Sequence, residues 1–264
     1  MATRDNTPSV IVSLTSFPAA IPYAIPTIKS ILAGTVLPDK VVLYLTYAQF
    51  ERGEVPAELS ELENENPIFE IRNYDRDIRS YRKLIPALKD FPDAIIVTVD
   101  DDTCYHSDML KDLLLLHEQY PECVLAHRAK RILPDKPYGK WPKLRWYHFL
   151  ANRFKQSCDI IQTGVGGVLY PPHSLKAEML DEELFTQLAP TTDDIWFWAA
   201  AVANGRVVMP VPFGPHNKPK GLGKPKALAL KTVNFKGGTD RNDTAFKAIL
   251  NKYPIINQRL RNEL

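Results

Sequence analysis

The chain has 264 residues, of which 45% are hydrophobic and 24% charged, and its formal net charge is +2. This balance is typical of a globular protein with a sizeable core and excludes an intrinsically disordered chain. The three cysteines are widely spaced and form no C-x-x-C pair, which supports neither a disulfide framework nor a structural zinc site. The polar start MATRDNTPS contains no apolar signal core, and no apolar run reaches the length of a membrane span. We therefore expect a cytoplasmic protein, with peripheral contact at the inner face of a membrane left open.

Apolar runs and helical patterns alternate along the first half of the chain. We predict strands in SVIVSLTSF, KVVLYL, FEIRNY, DAIIVTV and ECVLAHR, and helices over Ile25 to Leu32, in YRKLIPALKDF and in SDMLKDLLLLHEQY. Pro86 is expected to interrupt the second of these helices. Strands separated by helices indicate an α/β fold with a mostly parallel, Rossmann-like sheet. Right-handed crossovers would place the ends of the first and fourth strands at one edge of a common cleft.

The second half is less regular. It contains an aromatic and basic stretch, YGKWPKLRWYHF, then GVGGVLYPP, then APTTDDIWFWAAAVANG, then a segment rich in Lys, Pro and Gly from Pro210 to Lys226. We find no internal repeat and no low-complexity linker. The sequence therefore predicts one domain over residues 1–264, with a soft division near residue 105.

Three aspartates directly follow the fourth predicted strand, in IIVTVDDDTCY. Adjacent carboxylates raise one another's pKa unless water, a cation or hydrogen-bond donors offset the repulsion. A solvated turn with a helix N-cap is one interpretation. The other is a D-x-D pair, Asp100 and Asp102, that binds Mg²⁺ or Mn²⁺ and leaves coordination positions for phosphate oxygens. Ligands of open α/β sheets bind beyond the carboxyl ends of the strands, which favours the metal site.

Basic residues are concentrated in two segments, 128–155 and 216–236, and the second contains six lysines and no acid. Together with the acidic cluster, they indicate a phosphorylated ligand held with a metal. His216 is either a surface histidine or a third metal ligand, with Lys218 and Lys220 beside a diphosphate. Of Arg82 and Lys83, we expect one to be solvated and the other to reach the nucleotide.

TTDDIWFW is a second acidic cluster. Thr192 can cap a helix that Asp193 and Asp194 open, because acidic residues are favoured in a first helical turn. Alternatively, Asp194 or Asp193 faces the cleft as a general base. The glycines of GVGGVLYPP run into a strand-like segment and fit a dinucleotide fingerprint poorly, so we expect them to let a sugar approach the backbone.

Taken in order, VSLTSFP, PDKVVLYL, SYRKLIPAL, IIVTVDDD, GVGGVLYPP and DDIW resemble the bacterial GT-A fold glycosyltransferases of capsule and lipopolysaccharide assembly. The resemblance implies a GT-A fold with a nucleotide-binding half, 1–105, and a sugar and acceptor half, 106–264. It implies a UDP-sugar donor, a glycan or lipid-linked glycan acceptor, and Mn²⁺ or Mg²⁺ as cofactor. The implied nucleotide contacts are Thr15, Ser16, Phe17, Lys83, Asp100, Asp101, Lys218 and Lys220. The implied metal ligands are Asp100, Asp102 and His216. The implied sugar contacts are Gly166, Gly167 and Trp196. The acids implied to meet the donor sugar and the acceptor hydroxyl are Asp194 and Asp193.

Two other classes of protein remain open. A metal-dependent nucleotidyltransferase or phosphohydrolase would use the same aspartates and lysines. A non-catalytic module that binds RNA or another polyanion would use the basic stretch from Arg128 to Lys155, with its aromatic side chains stacking on bases. Burial in the core is the default expectation for most of these aromatic residues, which include Trp141. The small net charge and the two acidic clusters argue against a nucleic-acid partner.

Overall fold

The structure is a computed structural model that describes residues 8–144, 156–212, 218–228 and 240–263. Its strands are β1 (Val10–Thr15), β2 (Lys40–Leu45), β3 (Phe69–Asn73), β4 (Ile95–Thr98), β5 (Thr103–Cys104), β6 (Val124–Ala126), β7 (Ala129–Arg131), β8 (Ile160–Gln162), β9 (Val168–Tyr170), β10 (Val208–Pro210) and β11 (Lys220–Gly221). Its α-helices are α1 (Ile21–Leu32), α2 (Ala57–Glu65), α3 (Ile85–Asp90), α4 (Met109–Gln119), α5 (Glu182–Leu188), α6 (Asp193–Ala203), α7 (Arg241–Lys252) and α8 (Pro254–Glu263). Short 3₁₀ turns connect several of them, including Arg79–Lys83 and Gly164–Gly166.

A seven-stranded sheet in the order β10-β6-β9-β4-β1-β2-β3 forms the centre of the molecule. β1 pairs in parallel with both β2 and β4, and β9 is antiparallel to its neighbours β4 and β6. The predicted α/β class, with a mostly parallel sheet, is confirmed. Because β1 and β4 are adjacent and parallel, the residues that follow them meet at one edge of the sheet, as the crossover argument predicted.

Apolar β-branched runs explain the central strands. Four consecutive residues of β1 and all four of β4 are buried, and five of the six residues of β2 are buried. A strand covered on both faces reads as a continuous apolar run rather than an alternating one. The two apolar layers that cover the sheet contain helix residues such as Ile28 and Leu113 on one side and Phe185 and Trp198 on the other.

Proline placement corrects two predicted helices. Pro86 lies in the first turn of α3 and does not interrupt it, because a missing N–H is tolerated where helical hydrogen bonds have not yet begun. α1 begins at Ile21 rather than Ile25, with Pro22 in its first turn and Pro26 inside. The acidic stretch before β3 also contains a helix, α2, which buries Leu59 and Leu62.

The second half continues the same sheet. β9 hydrogen-bonds β4 on one side and β6 on the other, so strands from residues after 105 extend the sheet built by the first half. Among the helices of the described residues, none combines the length and the apolarity needed to span a bilayer.

Candidate active site

A cavity of about 970 Å³ opens where β1 and β4 end. Three groups of residues line it at this edge: Thr15, Ser16, Phe17 and Pro18 after β1, Val99, Asp100, Asp101 and Asp102 after β4, and Arg79, Ser80, Arg82 and Lys83 from the 3₁₀ turn. The opposite side is lined by residues of the second half, among them Arg128, Lys130, Tyr138, Thr163, Asp193, Asp194 and Lys224. The cavity therefore brings together both acidic clusters that the sequence singled out.

Arg82 shapes the part of the cavity that follows β1. Its buried guanidinium donates from Nε to Thr15 Oγ1 at 2.7 Å and from Nη2 to the Ser16 carbonyl oxygen at 2.7 Å, and it also donates to Thr46 Oγ1. Burial lowers the pKa of Arg82, and the carboxylate of Asp77 acts against that change. The expectation that either Arg82 or Lys83 is solvated is wrong, because both side chains are buried.

Lys83 joins the two acidic clusters. Its Nζ lies 3.0 Å from Asp100 Oδ1 and 3.0 Å from Asp193 Oδ2, and only 7% of its side chain is exposed. Burial alone would lower the pKa of Lys83, but the nearby carboxylates, Asp100 first, hold that pKa well above its ordinary value. Lys83 is therefore a fixed positive charge between the carboxylates of β4 and those of α6.

Lys224 of the second half pairs with two of the three aspartates. Asp101 is buried and accepts from Ser16 Oγ at 2.6 Å and from Lys224 Nζ at 2.7 Å. Lys224 also lies 2.8 Å from Asp102 Oδ2. Burial raises the pKa of Asp101, and Lys224 opposes that rise. Asp101 thus ties the end of β4 to Ser16 and Lys224.

The donor set fits a hard divalent cation. Asp100 and Asp102 keep 31% and 28% of their side chains exposed, and both line the cavity, so carboxylate oxygens of the type that Mg²⁺ and Mn²⁺ prefer face open space. A cation at Asp102 would compete with Lys224 for Oδ2. His216, the third expected ligand, lies outside the described residues.

Asp194 lies at the N-terminus of α6 and faces the same cavity. Its Oδ1 accepts a hydrogen bond from the backbone N–H of Gly164 at 3.0 Å, and its backbone carbonyl accepts from Gln162 Nε2 at 3.1 Å. Burial, followed by the negative charge of Asp193, raises the pKa of Asp194 to about 7, although Lys83 acts in the opposite direction. A carboxyl group with a pKa near neutrality is well suited to proton transfer.

The glycine segment contributes through a different residue from those expected. A Cβ atom added at Gly164 would lie 2.7 Å from Lys83 Nζ and 2.9 Å from Asp100 Oδ1, so a larger residue there would displace this ion pair. Gly166 instead packs on His127 and Arg128, and Gly167, with a φ of +90°, packs on Met109. The residues of this segment that line the cavity are Thr163 and Val165, and Gly164 lies between them against the Lys83–Asp100 ion pair.

Trp196 is a clear correction. It is fully buried, its indole N–H donates to the Met179 carbonyl oxygen at 2.8 Å, and its ring packs edge-on against Phe185. The expected sugar contact at Trp196 is wrong, because the side chain points into the core on the face of α6 away from the cavity. Trp141 is likewise buried, with its indole N–H donating to the backbone, so it does not stack on an RNA base.

The lysines nearest to the aspartates also differ from those expected. Lys218 and Lys220 are exposed, and Lys220 belongs to β11, which pairs with β5. The structure brings Lys224 to the cavity instead. Lys224 belongs to the same acid-free basic segment, but the sequence offers no signal that separates it from its neighbours.

A basic and aromatic wall faces the aspartates across the cavity. Lys130 Nζ lies 3.6 Å from the centre of the Tyr138 ring and donates to the Tyr138 carbonyl oxygen at 3.2 Å. Burial first, and then the charge of Lys143, lower the pKa of Lys130 to about 8. The sequence marked this region only as a basic stretch, and its portion from 145 to 155 lies outside the described residues.

Comparison with solved structures assigns the fold. The crystal structure of S. aureus TarS 1–349 matches this chain with a TM-score of 0.50 at 11% identity, over 92% of this chain and 71% of that one. The structure of S. aureus TarS 1–349 in complex with UDP gives a TM-score of 0.48 at 13% identity, over 78% of this chain and 58% of that one. No family model matches the sequence, and no curated protein matches it. The fold is GT-A-like, and identities this low establish the fold alone.

Proposed function

We propose that the protein is a glycosyltransferase that moves a sugar from a nucleotide-sugar donor to a hydroxyl group of a glycan or lipid-linked glycan acceptor. One observation supports this proposal above the others. A single cavity contains the Asp100–Asp102 cluster and, beyond Lys83, a separate carboxyl group on Asp194 whose pKa is about 7. Sugar transfer needs both a site for a diphosphate and a base for the acceptor hydroxyl.

The donor end of the cavity is assigned to the segments that follow β1 and β4. Thr15, Ser16 and Phe17 would contact the nucleoside, and Asp100 and Asp102 would hold Mn²⁺ or Mg²⁺. When bound, such a cation neutralises charge on the diphosphate. The resemblance of VSLTSFP and of the D-x-D pair to GT-A enzymes makes UDP the proposed nucleotide.

Lys83 and Lys224 act on the leaving group. Both ammonium groups lie within 3.0 Å of aspartates at this end of the cavity, so a diphosphate bound there would meet two fixed positive charges. Positive charge placed before the reaction stabilises the negative charge that develops on the departing nucleoside diphosphate. Arg82 has a positioning role, because it holds Thr15 and Ser16 in place.

Asp194 is the proposed general base. A carboxylate bound to a metal is a poor base because the cation stabilises its charged form, whereas Asp194 is held by a backbone N–H of Gly164 and has a raised pKa. Asp194 would accept the proton of the acceptor hydroxyl as its oxygen attacks the anomeric carbon. A single displacement of this kind inverts the anomeric configuration.

The motif resemblance extends the proposal to the synthesis of a bacterial surface polysaccharide on the cytoplasmic side of the membrane. The proposal includes no nucleic-acid partner.

The test is turnover of a panel of nucleotide sugars in Mn²⁺ buffer, with and without glycan acceptors, followed by release of the nucleoside diphosphate. We expect acceptor-dependent release of UDP that chelation abolishes and that Asp102→Asn reduces steeply. Lys220→Ala is the matched control, because this exposed lysine lies outside the cavity. Release of pyrophosphate, or of phosphate without transfer of sugar, would instead establish the nucleotidyltransferase or phosphohydrolase alternative.

A further inference from the structure

A second group of metal-ligating side chains lies outside the cavity. His106 follows β5, Asp112 lies in the first turn of α4, and His127 follows β6. One potential ligand atom from each of them lies within 4.8 Å of the other two. Three segments that are separate in the sequence therefore present two imidazoles and a carboxylate to one point.

The hydrogen bond of His127 to the backbone defines which of its ring nitrogens carries the lone pair. Its Nε2 lies 3.0 Å from the Met109 carbonyl oxygen, and a carbonyl can only accept, so Nε2 must carry the proton. The lone pair is then on Nδ1, a buried atom with no hydrogen-bond partner. Only 3% of His127 is exposed. Metal-bound histidines commonly donate their other N–H to a carbonyl in this way, which sets the tautomer and the ring orientation.

The surroundings keep this imidazole neutral. Burial is the main reason that the pKa of His127 falls to about 4; the hydrogen bond to Met109 opposes this change, and the neighbouring His106 adds to it. The ring centres of His106 and His127 are 5.6 Å apart and the ring planes are nearly perpendicular, so the two rings are not stacked face to face. A buried nitrogen lone pair without a donor is unfavourable, and a cation would satisfy it.

We propose that His106, Asp112 and His127 form a binding site for a zinc-like transition-metal ion, separate from the donor site. Two imidazole nitrogens and one carboxylate oxygen are ligands that suit Zn²⁺, whereas Mg²⁺ prefers oxygen alone. Tetrahedral ligands at about 2.1 Å from zinc lie about 3.4 Å apart, so ligand atoms that are now within 4.8 Å of one another need to approach by up to about 1.4 Å. A water molecule would complete the coordination. None of the three cysteines takes part.

The site would connect α4 to the strand end that supports the glycine segment. His127 donates its backbone N–H to the Gly167 carbonyl oxygen at 3.3 Å, and Gly164 at the other end of that segment donates to Asp194. A bound ion would therefore stabilise the loop after β5, α4 and the end of β6 as one unit. This second metal site goes beyond the proposed transferase function, and the inference does not depend on that function.

The experiment is calorimetric titration of the EDTA-treated 264-residue chain with ZnCl₂ in the presence of millimolar MgCl₂, which occupies sites made of oxygen alone. We expect one equivalent of zinc to bind and the melting temperature to rise with zinc concentration, because the ion binds the folded state. Asp112→Asn and His106→Gln, both at partly exposed positions, should each weaken zinc binding by at least about tenfold.

The matched control is His117→Gln, which changes another histidine of α4 outside the trio. It should bind zinc as the wild type does. Circular dichroism establishes that each variant is folded before titration. The proposal is overturned if the wild type binds no zinc, or if Asp112→Asn and His106→Gln bind it with unchanged affinity. Loss of binding in Asp102→Asn with retention in Asp112→Asn would assign the ion to the donor site and overturn the proposal equally.

Discussion

Replacing Asp194 with asparagine should slow transfer steeply and yet stabilise the folded protein at alkaline pH. Asparagine keeps the shape of the side chain, and its Oδ1 can still accept the hydrogen bond from Gly164. What it removes is a negative charge at a site where the pKa of the carboxyl rises from 3.8 to about 7. The wild-type protein is destabilised by that charge whenever Asp194 is ionised.

The sign and size follow from proton linkage. Because the folded-state pKa of Asp194 is above the unfolded-state value, the folded protein holds more protons than the unfolded chain between these two values. The contribution of Asp194 to stability is therefore fully present below about pH 4 and is lost as the pH rises through about 7. At about 1.36 kcal/mol for each pKa unit, the two units between pH 5 and the folded-state pKa of about 7 correspond to a loss of about 3 kcal/mol between pH 5 and pH 8.

The assay is chemical denaturation of wild type and Asp194→Asn at pH 5 and pH 8. We expect the variant to gain about 3 kcal/mol of unfolding free energy relative to wild type between the two pH values. In activity assays, kcat should fall by about 10²- to 10⁴-fold with little change in nucleotide affinity. Asp135→Asn, at an exposed position, controls for the loss of a charge and should show neither effect. A pH-independent difference in stability, or unchanged kcat, would refute the assignment of Asp194.

Three further predictions concern the same cavity. Lys224→Ala should weaken UDP binding by at least about tenfold in titration calorimetry, because it removes a positive charge from the donor end of the cavity. Lys220→Ala should leave UDP binding unchanged. Equal losses of affinity in the two variants would reject a specific role for Lys224. Gly164→Ala should lower kcat and destabilise the fold by about 1–3 kcal/mol in urea denaturation, because the added methyl group would lie 2.7 Å from Lys83 Nζ. Wild-type activity in this variant would contradict that packing. Arg82→Lys should raise KM for the donor and lower the melting temperature, since lysine cannot reproduce the three hydrogen bonds of a guanidinium, and an unchanged melting temperature would show that they contribute little.

Local patterns in the sequence determined most of the sheet and the location of its acidic edge. KVVLYL forms β2 with the predicted bounds, and the apolar run before Asp100 forms β4. An apolar β-branched run specifies a buried strand through its own side chains, and three aspartates cannot continue it. The helix that begins at Asp193 was likewise visible, because acidic residues favour a first helical turn.

Contacts between residues distant in the chain decided the rest. Lys224 meets Asp101 across 123 positions, and no local feature distinguishes it from Lys220. Lys83 is buried because carboxylates from β4 and α6 surround it, although in isolation a lysine favours water. Helix α6 is buried on nearly every side, and only its first turn, with Asp193 and Asp194, faces the cavity. Trp196 lies beyond that turn, so its side chain packs in the core. Charge pairing and side-chain burial depend on which segments the fold brings together, and that is a property of the tertiary structure.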